Sequence, residues 1–381
     1  MRLAPGFVSE PCGVEAFSVR FAPDGAFLAA SGSHGQVSIY NVSTGQEAYR
    51  LNRNEKHPVK QVCWRPERED APLRTRGVLV GASTDGKLRQ WHVTSGRLLQ
   101  EFGDPNGEVG QLLCVDYSPD GTRMAAGGLQ ELWVFDEETK QLAVKLKGGD
   151  SLTTAGHSSR VLAARFAPAS CGDGNLVVSG GWDNTVQFWD LRAGHAVRLI
   201  YGPHICGDAL DMEQQGKLLL TGSWREDEPL ELWDFGTGKR LEALPWRSPG
   251  SSAEPSCLLY SARFSRDSAA SMIAAGGSFA GPGQGEAKLI ERHAASRCRC
   301  VGTLVRFTCL SVDFSPQLDT PMVAFSGSDG RIRAMRLEAE AQGSATSAPP
   351  VPPPPPPQLG SSGGPQPSPR QQEPGGYPAR M

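Results

Sequence analysis

One phrase recurs seven times along the 381 residues, and it restricts the fold more than any other feature. An apolar stretch ends on an aromatic or Met, and in most copies a turn such as Ser-Pro-Asp-Gly follows. The copies read SVRFAPDG at Phe21, QVCWRPER at Trp64, CVDYSPDG at Tyr117 and AARFAP at Phe166. They continue as ALDMEQQG at Met212, SARFSRDS at Phe264 and SVDFSPQL at Phe314. These landmarks stand 43, 53, 49, 46, 52 and 50 residues apart. Each unit goes on to a second apolar stretch ending in small residues, as in FLAASGS, VLVGAST, LVVSGGW, LLLTGSW and MVAFSGS. A turn leads to a third stretch closing on an aromatic (VSIYN, LRQWH, LWVFD, VQFWD, LELWD). Most units then add a fourth, such as GRLLQEF, QLAVKLKG or AVRLIYG. Apolar alternation bounded by Gly, Asp, Asn and Pro predicts short antiparallel strands.

Four strands per unit, with third strands closing on Trp-Asp, predict an all-β chain: a seven-bladed β-propeller of four-stranded antiparallel blades. On these residues the chain resembles the WD40-repeat family over positions 1–337. Trp189-Asp190 and Trp233-Asp234 carry the dipeptide literally, while Tyr40-Asn41, Trp91-His92 and Phe135-Asp136 are worn copies. Units six (near Ile290) and seven (near Met335) have lost the aromatic. The resemblance implies a blade-stiffening hydrogen-bond network in unit four, from His157 through Ser179 and Asp183 to Trp189. Unit two keeps His57, Asp85 and Trp91 but has Gly81 in the Ser position, and unit one has His34 in the Asp position. The seventh unit ends its third strand at RIRAMRL and shows no fourth, so residues 3–8 are expected to supply that outer strand.

Charge and cysteine usage exclude several function classes. With 38 Lys and Arg against 41 Asp and Glu, the net charge of -3 gives no basic field for nucleic acid or anionic membrane. No run of 18 apolar residues suggests a membrane span, and the amino terminus has no apolar core of a secretory signal. The nine cysteines have one close pair, Cys298 and Cys300, a poor zinc signature, so reduced thiols in a reducing compartment are expected. His204 and Cys206 could touch a metal, but two ligands do not make a site. The expectation is a soluble intracellular protein, cytoplasmic in preference to nuclear, with cytoskeletal or ciliary association open.

No enzymatic centre emerges. His157, Asp183 and Ser179 match a hydrolase triad by type, yet the family uses the same set as a structural staple. None of the seven units carries a G-x-S-x-G nucleophile elbow. GPGQGEAK lacks the G-K-[ST] ending of a phosphate loop. The repeat places no paired carboxylates into one cleft. No catalytic residue, cofactor or metal is therefore expected.

After Glu340 the composition changes: residues 341–381 hold 13 Pro and 6 Gly with no Trp or Phe. Such a segment cannot bury enough apolar area to offset ordering entropy, so 338–381 reads as a disordered Pro/Gly/Ser-rich tail. Within it Pro352, Pro353, Pro354, Pro355, Pro356 and Pro357 favour polyproline II, a ligand shape for SH3, WW, EVH1 or profilin-type proteins.

Propellers present partners with the face made of the loops between blades and the turns between second and third strands. On that face, units four to six place Trp182, Tyr201, His204, Trp224, Arg225 and Phe279, and aromatics with Arg are enriched at binding hot spots. The expected function is a non-catalytic scaffold joining proteins in a complex, with the binding face on blades four to six. The alternative is a substrate receptor of a cullin-RING ubiquitin ligase. Residues 177–192, VVSGGWDNTVQFWDLR, resemble the WDxR box of such receptors, and this places Asp190 and Arg192 against the adaptor.

Overall fold

The computed structural model describes residues 1–339 apart from 12–13, 53–55, 68–75, 104–106, 108, 147, 149–154, 173, 248–255, 282 and 294–296. The candidate polyproline ligand, Pro352–Pro357, lies outside these residues. The described residues form 28 strands in seven four-stranded antiparallel sheets. Blade one is Ala16–Phe21, Phe27–Gly32, Val37–Asn41 and Glu47–Leu51. Blade four, for comparison, is Val161–Phe166, Leu176–Gly181, Thr185–Asp190 and His195–Tyr201. The first strands touch one another in a closed ring and line a central channel, while the fourth strands form the outer edge. This is a seven-bladed β-propeller.

Seven clusters of buried side chains hold the ring together, each shared by two neighbouring blades. Between blades one and two, Ile39 and Ala29 meet Val62, Trp64, Leu79 and Trp91. The aromatic that closes each third strand belongs to these seams, as Trp189 does between blades three and four. Where the aromatic is lost the position stays apolar: Ile290 is buried between blades five and six. A single blade cannot bury both faces, so the burial that stabilises each blade is supplied by its neighbours.

The ring closes between blades seven and one. Arg2–Val8 pairs antiparallel with Ile332–Glu338 as the outer strand of blade seven. Its Leu3 packs into the seam of blades six and seven, and Phe7 sits 6.2 Å from the Tyr40 ring of blade one.

Blade four carries the polar network whole. The two ring nitrogens of His157 bond Asp183 Oδ2 at 2.8 Å and Ser179 Oγ at 2.7 Å, and Trp189 Nε1 donates to Ser179 Oγ at 2.8 Å. Burial alone would raise the Asp183 carboxyl. The His157 imidazole, the Thr185 hydroxyl and the Ser158 amide outweigh it and hold the group below the usual carboxylate range. In blade two the pattern differs: His57 is exposed, and Asp85 is held instead by the Arg89 guanidinium, with Nη2 donating to Oδ2 at 2.5 Å. Blade seven repeats this device with Asp329 and Arg333, four residues apart on the same turn-and-strand unit. The Trp91 ring occupies the space over Gly81, where an added Cβ would stand 3.0 Å from it. His157→Ala is expected to lower stability by about 1–3 kcal/mol in urea denaturation, because Ser179 and Asp183 lose a buried partner. His57→Ala, at an exposed position, is expected to leave the unfolding midpoint unchanged.

Candidate partner-binding site

In a meander of four strands the ends alternate. The second-to-third turns and the connections between blades therefore share one face, called here the loop face. Trp182, in the turn of blade four, is 41% exposed, and the Arg160 guanidinium lies 4.7 Å from its ring centre. Trp224, in the corresponding loop of blade five, is 39% exposed. Its backbone amide donates to the His204 carbonyl at 2.8 Å, and its ring centre is 6.3 Å from the His204 imidazole. His204 Nδ1 in turn pairs with Asn184 Oδ1 at 2.5 Å. Burial pulls the His204 imidazole below its ordinary range, against the partial pull of Asp183. Tyr201, at the end of the outer strand of blade four and opposite Thr185, is 75% exposed.

Two other rim candidates are engaged within the fold. Arg225 folds back over its own loop, donating to the carbonyls of Asp227 at 2.9 Å and Glu228 at 2.7 Å. It also ion-pairs with Glu231 at 2.7 Å. Phe279 packs against the seam of blades five and six. The structure thus gathers Trp182, His204 and Trp224 around the chain segment that enters blade five. It leaves Arg225 and Phe279 as supports of their loops.

Arg192 and Asp190 sit at the third-to-fourth turn of blade four, on the opposite face. The Arg192 guanidinium, 67% exposed, forks onto the Asp190 carboxylate at 2.8 and 3.0 Å, and this contact pulls the Asp190 carboxyl down to about 2. The pair closes its own turn, which accounts for both residues without an external partner.

The channel holds a feature that the repeat pattern alone does not reveal. In blades one, two, four, six and seven the first strand bulges against the second by one residue. The unpaired residues are Phe17, Lys60, Leu162, Tyr260 and Leu310, and a bulge re-aims the side chain it carries. All five line a cavity of 400 Å³ at the loop-face mouth of the channel, together with Leu113, Arg160 and Trp182.

Three residues further along each first strand, the channel wall alternates in charge. Around the ring it reads Arg20, Cys63, Asp116, Arg165, Asp211, Arg263 and Asp313. Seven positions cannot alternate perfectly, and the neutral Cys63 fills the odd place between Arg20 and Asp116. Burial, reinforced by Asp116, pushes its thiol up to about 12, so it stays protonated. Three of these carboxylates cap the next blade: Asp116, Asp211 and Asp313 accept the amides of Phe166, Phe264 and Phe21. Ionisable groups therefore do converge on one place, contrary to the sequence reading, because adjacency in the ring brings together residues about fifty apart in the chain. The arginines among them are committed to buried carboxylates. Asp208 is ion-paired with Arg20 and Arg165 and, at 3.1 Å, with Arg263, which also holds Asp211 at 3.1 Å. Among the described residues no group of three His, Cys, Asp or Glu is placed to hold a metal, and the eight described cysteines are free thiols.

Comparison with known proteins agrees with this architecture. The family described as WD domain, G-beta repeat matches residues 11–41 and 149–190, the latter spanning the His157 network. The chain is a WD40-repeat propeller. It is 27% identical over 183 residues to Periodic tryptophan protein 2 homolog of Dictyostelium discoideum, covering 48% of this chain and 18% of that protein. It is 26% identical over 235 residues to a guanine nucleotide-binding protein subunit beta of Nicotiana tabacum, covering 56% of each. To the Poly(A)+ RNA export protein of Schizosaccharomyces pombe it is 30% identical over 131 residues, 33% of each. The matches thus span from about a fifth to just over half of these relatives' lengths. WD40 propellers typically serve as protein-interaction platforms, and the fold itself typically carries no catalytic centre. Among the described residues no helix is long and apolar enough to cross a membrane.

Proposed function

We propose that this WD40 propeller is a non-catalytic scaffold that holds a partner protein on its loop face, over blades four to six. The observation that carries the reading is exposed Trp224 against His204, with exposed Trp182 and Tyr201 on the same loop face of blade four. Large aromatics left at the surface of an otherwise well-packed fold are the residue types that dominate interface energies. The arginines of the channel wall are held as counterions by Asp208 and Asp211, so among the described residues this buried charge cluster offers no free general acid or base. The Pro352–Pro357 run is a second, separable handle in this reading.

Quantitative affinity capture from native cells tests it with three proteins: the full chain, a truncation after Glu340, and Trp182→Ala/Trp224→Ala. Partners are expected to be lost with the double substitution at an unchanged melting temperature and retained on truncation. Partners that survive the double substitution and vanish on truncation would move the site to the tail.

A further inference from the structure

The loop-face mouth of the channel is a built cavity lined by donors that, among the described residues, have no acceptor. Phe17, Leu113, Leu162, Tyr260, Leu310 and Trp182 make its rim apolar. Two cations enter that rim. The Lys60 ammonium rests 3.4 Å from the centre of the Phe17 ring, and Arg160 lies over Trp182. Among the described residues neither is within ion-pair range of a carboxylate. Glu15 acts on Lys60 only at longer range, and burial outweighs it, lowering the ammonium from its ordinary range.

Next to Lys60, the Gln61 carbonyl accepts the Val115 amide at 2.8 Å, while its buried amide nitrogen has no partner. The one carboxylate lining the cavity, Asp208, is already shared by three arginines. A half-buried ammonium resting on an aromatic face and an orphaned amide donor beside it are groups that an anion would satisfy. In such a partly dehydrated site a charge-assisted hydrogen bond is stronger than at an open surface.

We infer that this mouth receives an acidic group of a partner peptide, a carboxylate or a phosphate, set beside an apolar residue that lies against the Phe17–Tyr260–Leu310 side. Lys60 and Gln61 donate to the anion from the wall, and Arg160 covers it from the rim. The inference rests on the scaffold reading above and adds the chemistry of the partner. The bulges are what make the site: without the extra residue in their first strands, Phe17, Lys60 and Tyr260 would not be turned into the mouth.

The test uses fluorescein-labelled short peptide libraries, random except for a central Glu-Leu, titrated against the full chain by fluorescence anisotropy. Matched libraries carry Gln-Leu, Lys-Leu or phosphoserine-Leu. The Glu library is expected to bind about tenfold more tightly than the Gln library, the effect of one charge-assisted hydrogen bond. Lys60→Glu should abolish that preference and favour the Lys library. Arg160→Glu, at an exposed position that leaves the fold intact, should weaken the preference in the same direction. Tighter binding of the phosphoserine library than of the Glu library supports the site and assigns the anion to a phosphorylated partner.

Equal affinity for Glu and Gln libraries, or a preference untouched by either reversal, overturns the inference. The scaffold reading is judged separately, by whether Trp182→Ala/Trp224→Ala loses the captured partners. Charge-blind libraries combined with that loss would sink the acidic-partner chemistry alone.

Discussion

Replacing Asp208 by Ala is expected to lower the stability of the propeller by about 3–5 kcal/mol, the cost of removing one partner from a buried ion cluster. Arg20, Arg165 and Arg263 reach the same carboxylate from blades one, four and six, and all are buried. Burial and the proximity of Arg263 already pull the Arg20 and Arg165 guanidiniums below their ordinary range. Without Asp208, Arg263 keeps Asp211, whereas Arg20 and Arg165 lose their ion-paired carboxylate. Asp208→Asn preserves shape and removes the charge, so it should cost nearly as much as Ala. Urea denaturation of each variant checks this. In an Arg20→Met background the cost of Asp208→Asn should shrink, because one of the charges it would strand is gone. A loss below about 1 kcal/mol for Asp208→Asn would show that the arginines draw their compensation from elsewhere.

The contrast between Asp208 and His157 shows what a sequence of this kind makes legible. His157, Ser179, Asp183 and Trp189 recur at fixed offsets within one unit, so their network can be read along the chain. Asp208 lies just before the recurring phrase of its unit, and its partners lie 188, 43 and 55 residues away. Their meeting depends on the angular order of the blades. The alternation of Arg, Cys and Asp just before each repeat landmark stands in the sequence, but it acquires meaning only once the first strands face one channel. The rim residues were harder still. Phe17, Lys60 and Tyr260 sit within apolar strands and would point into a seam if the strands were regular; a one-residue bulge turns them to the mouth. Phe279 and Arg225 show the converse: residue types enriched at interfaces also brace the loops that carry them.

Deleting residues 1–9 is expected to produce the second large effect, and to change the character of unfolding as well as its midpoint. The strand Arg2–Val8 is the outer strand of blade seven, and it contacts both neighbours of that blade: Leu3 the seam with blade six, Phe7 the Tyr40 ring of blade one. Losing the burial of those two side chains alone would cost about 3 kcal/mol. The Ile332–Glu338 edge would also be left with unpaired backbone groups, a template for pairing with another chain. The truncated protein should therefore melt at a lower temperature, with a broader transition, and should associate in a concentration-dependent way in sedimentation velocity. A peptide of residues 1–10 added in trans should restore both properties by strand addition. Gly6→Val reaches the same point without deletion. Gly6 is the bulged residue of this strand, and a Cβ there would stand 2.6 Å from the Ala334 carbonyl oxygen and 3.0 Å from Met322 Cε. The strand could then pair only by shifting its register or leaving the edge. An unchanged, cooperative melt for both variants would mean that the five seams this strand does not touch hold the ring without it.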